Sequence, residues 1–191
     1  MKKRQIVAIL IAVTATVSLS GCGFVSFAPA HMEGMMNDAD SKYSSTDLMF
    51  AQMMIPHHQQ AVDMGTLAET RSRNPEVKAL ASKIKAAQAP EIIEMKSWLP
   101  NPSMNMGMNH GMTMEGMLTD SEMLKLANTY GPEFDRLYLA GMIGHHKGAI
   151  SMVQMISDSK NSTVKAFGEK VVTNQSAEIR TMQQLMKKLG Y

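Results

Sequence analysis

One stretch of this chain occurs twice. Asp47-Leu-Met-Phe-Ala-Gln-Met-Met-Ile-Pro-His-His-Gln-Gln-Ala-Val-Asp-Met64 returns 88 residues later as Asp135-Arg-Leu-Tyr-Leu-Ala-Gly-Met-Ile-Gly-His-His-Lys-Gly-Ala-Ile-Ser-Met152. A second correspondence follows each copy at a shift of 87. Val77-Lys78-Ala79 matches Val164-Lys165-Ala166, and Gln88-x-x-Glu91-Ile92-x-x-Met95 matches Gln175-x-x-Glu178-Ile179-x-x-Met182. Self-similarity of this kind fixes the architecture before any propensity does, because each copy must build the same supersecondary unit.

The spacing within the copies identifies that unit as helical. Phe50, Met54, His57, Ala61, Met64 and Ala68 fall on one helical stripe, with Leu48, Ala51, Ile55, His58 and Val62 on the stripe beside it. Tyr138, Met142, His145, Ala149 and Met152 repeat the first stripe; Leu139, Ile143, His146, Ile150 and Val153 repeat the second. Asn74-Pro75 and Gly131-Pro132 suit helix starts. Pro56 and Pro90 lie inside helical patterns and are expected to kink them. The expected fold is all-α: an up-and-down four-helix bundle built from a duplicated two-helix unit, its helices roughly 20 to 26 residues long.

The flanks suggest an address. Met1 to Arg4 are basic and Ile6 to Leu19 form an apolar run of about 14 residues, short of the roughly 20 needed to span a bilayer. Leu19-Ser20-Gly21-Cys22 resembles a bacterial lipobox, in which the cysteine is diacylated and becomes the mature N-terminus, and Cys22 is the only cysteine present. The expected organisation is a lipoprotein signal peptide at 1–21, a flexible tether at 22–45, and a metal-binding domain at 46–191 with a Met-rich connection at 100–131. It puts the protein in the cell envelope, outside the cytoplasm, held to a membrane through Cys22. Losing Lys2, Lys3 and Arg4 with the leader turns the net charge of +2 into −1, which argues against nucleic acid as a partner. A single cysteine excludes an internal disulfide and a Cys-rich metal site.

The connection carries the strongest chemical signal. Met104, Met106, Met108, Met112, Met114 and Met117, with His110 among them, fall within 14 residues that contain three Gly, two Asn and no Leu, Ile or Val. Methionine ordinarily fills cores, but this composition has no 3.6-residue period and cannot present a buried helix face. Thioethers are neutral, soft ligands suited to Cu(I) and to the chemically similar Ag(I). In an oxidising compartment they also escape the disulfide chemistry that removes thiolates. The competing reading is an adaptable apolar surface that grips a partner protein. His31-Met32-Glu33-Gly34-Met35-Met36 is a weaker echo in the tether.

The paired histidines admit two readings. Adjacent helical residues point about 100° apart, so the members of each pair face different neighbours. His57 follows Met54 by three residues and His145 follows Met142 by three, a spacing that lets each Met/His pair ligate jointly. Met64 and Met152 lie seven residues further on and belong to separate sites. Alternatively, the histidines are buried polar groups satisfied across the bundle by Gln88 and Glu91, and by Gln175 and Glu178. No Glu-x-x-His, G-x-S-x-G, His-Glu-x-x-His or Walker-type loop occurs, so nothing points to an enzyme.

The paired M-I-x-H-H motifs and their Q-x-x-E-I-x-x-M companions, over about residues 45 to 191, resemble the domain-of-unknown-function family 305 (DUF305). The resemblance implies a ferritin-like bundle outside the cytoplasm and, as in characterised members, copper binding with a part in copper tolerance. It marks Met54, His57, His58 and Met64, and Met142, His145, His146 and Met152, as the motif positions. The second copy departs from the first at Gly144, Lys147 and Gly148, which stand where Pro56, Gln59 and Gln60 do. The expected function is capture of Cu(I), with Ag(I) and Cu(II) as further candidates, for tolerance or for handover to a copper exporter or chaperone. An adaptor module and a copper oxidase are the alternatives.

Overall fold

Residues 42–101 and 114–191 are described in the computed structural model. The leader, Cys22, most of the tether, and Met104, Met106, Met108, His110 and Met112 lie outside the described residues. Five helices follow one another: α1 (Ser45–Arg71), α2 (Pro75–Trp98), α3 (Asp120–Ala127), α4 (Gly131–Val153) and α5 (Ser162–Leu189). Four of them, 27, 24, 23 and 28 residues long, make the expected four-helix bundle.

The ends are set by local chemistry. Ser44 and Asp47 form a reciprocal capping box at the start of α1, and Asn74 and Asn161 take the first free amides of α2 and α5. Their equivalence, 87 residues apart, extends the duplication to the caps. Helix α1 runs through Pro56 and α2 through Pro90 without interruption. Helix α3 had no counterpart in the expected connection, although Thr119-x-x-Glu122 is a capping box and Leu126 is a buried apolar anchor.

Helix α1 packs on both α2 and α4, and α4 packs on α5. Two apolar clusters fill the bundle. One gathers Met64, Leu80, Ile84, Phe134, Tyr138, Met142 and Met182; the other gathers Phe50, Met54, Met95, Trp98, Met152 and Phe167. Trp98 meets Phe167 edge-on with centroids 5.1 Å apart, closing the end where the chain enters. Helices α2 and α5 are bridged by long side chains, with Lys188 at 2.7 Å from Glu76 and Lys170 at 3.3 Å from Glu91. Polar groups occupy the middle of the molecule.

Candidate metal centre

All four histidines of the duplicated motif are fully buried. The stripes bring His57 and His145 together where α1 crosses α4, their ring centroids 3.8 Å apart. His145 Nε2 donates to the His57 carbonyl oxygen at 2.9 Å, and His57 Nε2 donates to the Glu115 carbonyl oxygen at 3.3 Å. Their neighbours turn the other way, as residues about 100° apart on a helix must. His58 Nε2 lies 3.0 Å from Glu91 Oε2, and His146 Nε2 lies 2.8 Å from Glu178 Oε2.

Every one of these partners is a carbonyl or carboxylate oxygen, which can only accept, so each Nε2 carries the proton and each Nδ1 keeps a lone pair. Among the described residues no group is bonded to any of the four Nδ1 atoms, all of which are buried. That is the arrangement in which a histidine ligates: one nitrogen tied to a carboxylate or carbonyl, the other free and basic. Among the described residues no three His, Cys, Asp or Glu side chains gather as a chelating cluster. An ion held here would therefore draw on histidine in ones or twos with thioether sulfur. That donor set fits Cu(I), which accepts low coordination numbers and soft ligands, better than Zn(II) or a hard ion.

Met54, Met64 and Met142 are fully buried and Met152 nearly so. Met142 shares its cluster with Met64, and Met54 shares its own with Met152, so each apolar cluster contains one methionine from each copy of the motif. The hydrogen-bonded reading of the histidine pairs holds in part. Glu91 and Glu178 do satisfy His58 and His146, but the side-chain amides of Gln88 and Gln175, though buried, bond to nothing among the described residues.

Burial governs the protonation of the core. Desolvation lowers His57 from 6.5 to about 3, with the nearby charge of His58 acting in the same sense. Desolvation also lowers His145 strongly, reinforced by His57, and lowers His58 despite its bond to Glu91. For Glu91, burial acts upward, but the bond and charge of His58, and then Lys170, outweigh it, and the carboxyl titrates below its ordinary range.

These shifts set a pH dependence for the metal-free protein. The unfolded histidines bind protons near pH 6.5 while folded His57 stays neutral down to about 3. Stability is therefore complete above pH 6.5 and is lost as the pH falls through that window. His57 and His145 each contribute a slope approaching about 1.4 kcal/mol per pH unit below pH 6. Urea unfolding between pH 6.5 and 5, where carboxylates remain ionised, should show this decline. A flat profile there would mean that the rings are not held neutral.

The second leg of the connection, residues 114–118, lies as a strap over the α1–α4 crossing. Besides the His57 bond, Glu115 Oε2 accepts from Ser151 Oγ at 2.9 Å. Gln60 clamps Leu118 twice, donating to its carbonyl at 2.9 Å and accepting from its amide at 2.8 Å. The strap rests on glycine: a Cβ at Gly148 would overlap the Glu115 carbonyl oxygen, and one at Gly116 would overlap the carbonyl oxygen of Gly144. This accounts for the departure of the second copy at Gly148 and for the retention of Gln60 in the first. Met114 and Met117, both half-buried, are the described members of the Met-rich run, and the strap that carries them touches the histidine core. Sequence reasoning did not foresee Glu115 or Gln60 as contacts of the site. The signal was present in the broken symmetry.

The family model of the domain of unknown function DUF305 matches residues 47–186. Among solved structures, a DUF305 protein of Streptomyces coelicolor described as secreted is 34% identical, with 76% of this chain and 94% of that one covered and a TM-score of 0.68. CopM in its Cu(I)-bound form is 31% identical, with 74% of this chain and 96% of that one covered and a TM-score of 0.61. CopM has also been solved with Cu(II), at 34% identity and a TM-score of 0.63, and with Ag. Among curated proteins, none matches the chain.

Proposed function

The chain belongs to the DUF305 family, and from that premise we propose that it is an extracytoplasmic copper-binding protein. It captures Cu(I), and Ag(I) as a chemical equivalent, with the thioethers of the Met-rich connection and the free imidazole nitrogens of the core. The observation that carries this reading is the set of four buried Nδ1 atoms without a partner among the described residues, each on a ring whose other nitrogen is already committed. Buried polar atoms in folded proteins are almost always satisfied, so four orphans of one chemical type mark a place for a ligand. CopM, similar over most of its length, has been solved with Cu(I), Cu(II) and Ag bound, which supports the same class of client here.

Two compartments of ligand divide the work in this proposal. The Met-rich run, rich in glycine, supplies fast and exchangeable capture. The core supplies a drier site in which histidine adds affinity and admits Cu(II). Cys22, as a diacylated terminus, keeps the domain at an envelope membrane, where it lowers free metal or passes it to an exporter. The protein is a binder and not an oxidase on this reading, since storage needs no open coordination position.

A Cu(I) competition titration tests it. Protein lacking residues 1–22, held anaerobic, should withdraw at least one equivalent from a Cu(I) chelating dye. Replacing Met104, Met106, Met108, Met112, Met114 and Met117 by Leu keeps apolar surface while removing sulfur, and should lower the capacity. Replacing His57 and His145 by Phe should remove the component that survives the Leu changes. Equilibrium dialysis that leaves the parent protein empty of Cu(I) would falsify the proposal.

A further inference from the structure

A closed bundle with its ligands at the centre needs a way in. Three faces lead toward the histidines, and they differ. Over His57 the strap lies bonded by Gln60, Ser151 and His57 itself. Outside His58, Glu91 is latched by Lys170, whose ammonium lies 3.3 Å from Glu91 Oε1 and already occupies that carboxylate's second oxygen. Outside His146 the situation reverses. Glu178 borders a groove of about 510 Å³ between α2 and α5, with Lys83, Ala87, Asn174 and Ala177 on its walls. Lys83 is the counterpart of Lys170 at the shift of 87, yet it makes no ion pair among the described residues.

We infer that this groove is the port through which a soft monovalent cation enters and leaves the core, with Glu178 as its receiving group and His146 directly behind. The inference rests on the copper-binding reading above. A carboxylate that borders a groove and has no ammonium paired to it among the described residues attracts cations, with Lys83 on the wall but not bonded to it. Glu178 is that group, and its other face is already bonded to the His146 ring at 2.8 Å. Gln175 stands three residues before Glu178 on the same helical face, and Gln88 stands likewise before Glu91. Both amides are at least nine-tenths buried with oxygen and nitrogen unpartnered. Such amides can stand in for hydration water by turning a carbonyl dipole to a passing cation. The duplication thus supplies two similar doors, one closed by Lys170 and one open at Glu178.

The test reads rate against affinity in protein whose Met104, Met106, Met108, His110 and Met112 have been replaced, so that the core dominates binding. Cu(I)-loaded protein is mixed with excess bicinchoninate under nitrogen and the release followed by absorbance. Ala177→Phe and Ala87→Phe plug the groove from opposite walls without touching a ligand, so a folding defect in one leaves the other informative. Each should slow release at least tenfold while the equilibrium dissociation constant stays within about twofold, because a blocked passage slows both directions alike. Release at the parent rate from a plugged, fully loaded variant overturns the port and leaves copper binding standing. A parent protein that takes up no Cu(I) overturns the binding reading, and the port with it.

Discussion

Gly148→Ala should be among the most damaging single-methyl additions available in this protein, while Gly144→Ala, four residues earlier on the same helix, should be neutral or stabilising. Both residues lie in the interior of α4, where alanine is favoured over glycine by about 1 kcal/mol. At Gly144 a new Cβ meets nothing within 4 Å, so the propensity gain is realised. At Gly148 the new atom would overlap the Glu115 carbonyl oxygen and stand 2.6 Å from its carbon. These are backbone atoms, which cannot rotate aside. The strap must lift, and with it go the His57–Glu115, Ser151–Glu115 and Gln60–Leu118 hydrogen bonds. Partly buried bonds contribute about 1 kcal/mol each, and the His57 Nε2 proton would be left buried and unpaired. A net loss of about 2 to 4 kcal/mol follows, which in a domain of this size lowers the thermal midpoint by roughly 5 to 15 °C. Calorimetry of the two variants side by side checks it. Equal midpoints would show that the strap does not press on α4 as described.

The same glycines explain which parts of the molecule could be read in advance. The duplication and the 3.6-residue stripes fixed four helices, the burial of Met54, Met64, Met142 and Met152, and the divergent aims of His57 and His58, because those follow from periodicity within single helices. The pairing of His58 with Glu91 and of His146 with Glu178 was also legible as an alternative, since both partners lie on apolar stripes where a carboxylate needs a reason to be. What escaped was everything set by the connection between the copies. Glu115 serves His57 through its backbone carbonyl, and no side-chain pattern encodes a carbonyl. Gln60 looked like one more polar residue beside a histidine pair, yet it clamps Leu118. Gln88 and Gln175 resembled partners for histidine on spacing alone, but their amides reach no bonding partner among the described residues. A helical repeat predicts what each copy does alone; where one copy is covered and the other is not, only contact between distant segments decides.

That inequality between the copies leads to the other large effect. His146→Leu should destabilise the metal-free protein by about 3 kcal/mol, and His58→Leu by only about 1 to 2, although the two histidines occupy equivalent positions. Each substitution keeps side-chain volume and removes the ring that donates to a buried carboxylate. Glu91 retains Lys170 when His58 is gone, so its charge stays compensated. Glu178 has no hydrogen-bonding partner besides His146 among the described residues and is left buried without a donor. The double variant His146→Leu, Glu178→Leu should recover most of the loss, since removing both members of a buried polar pair costs far less than orphaning one. Adding Lys170→Met to His58→Leu should raise its cost to that of His146→Leu. Urea unfolding at pH 7 for the five proteins, parent included, measures all these differences on one scale. If the two single histidine variants lose the same stability, Lys170 contributes nothing to Glu91, and the unequal pairing described for the two halves is wrong.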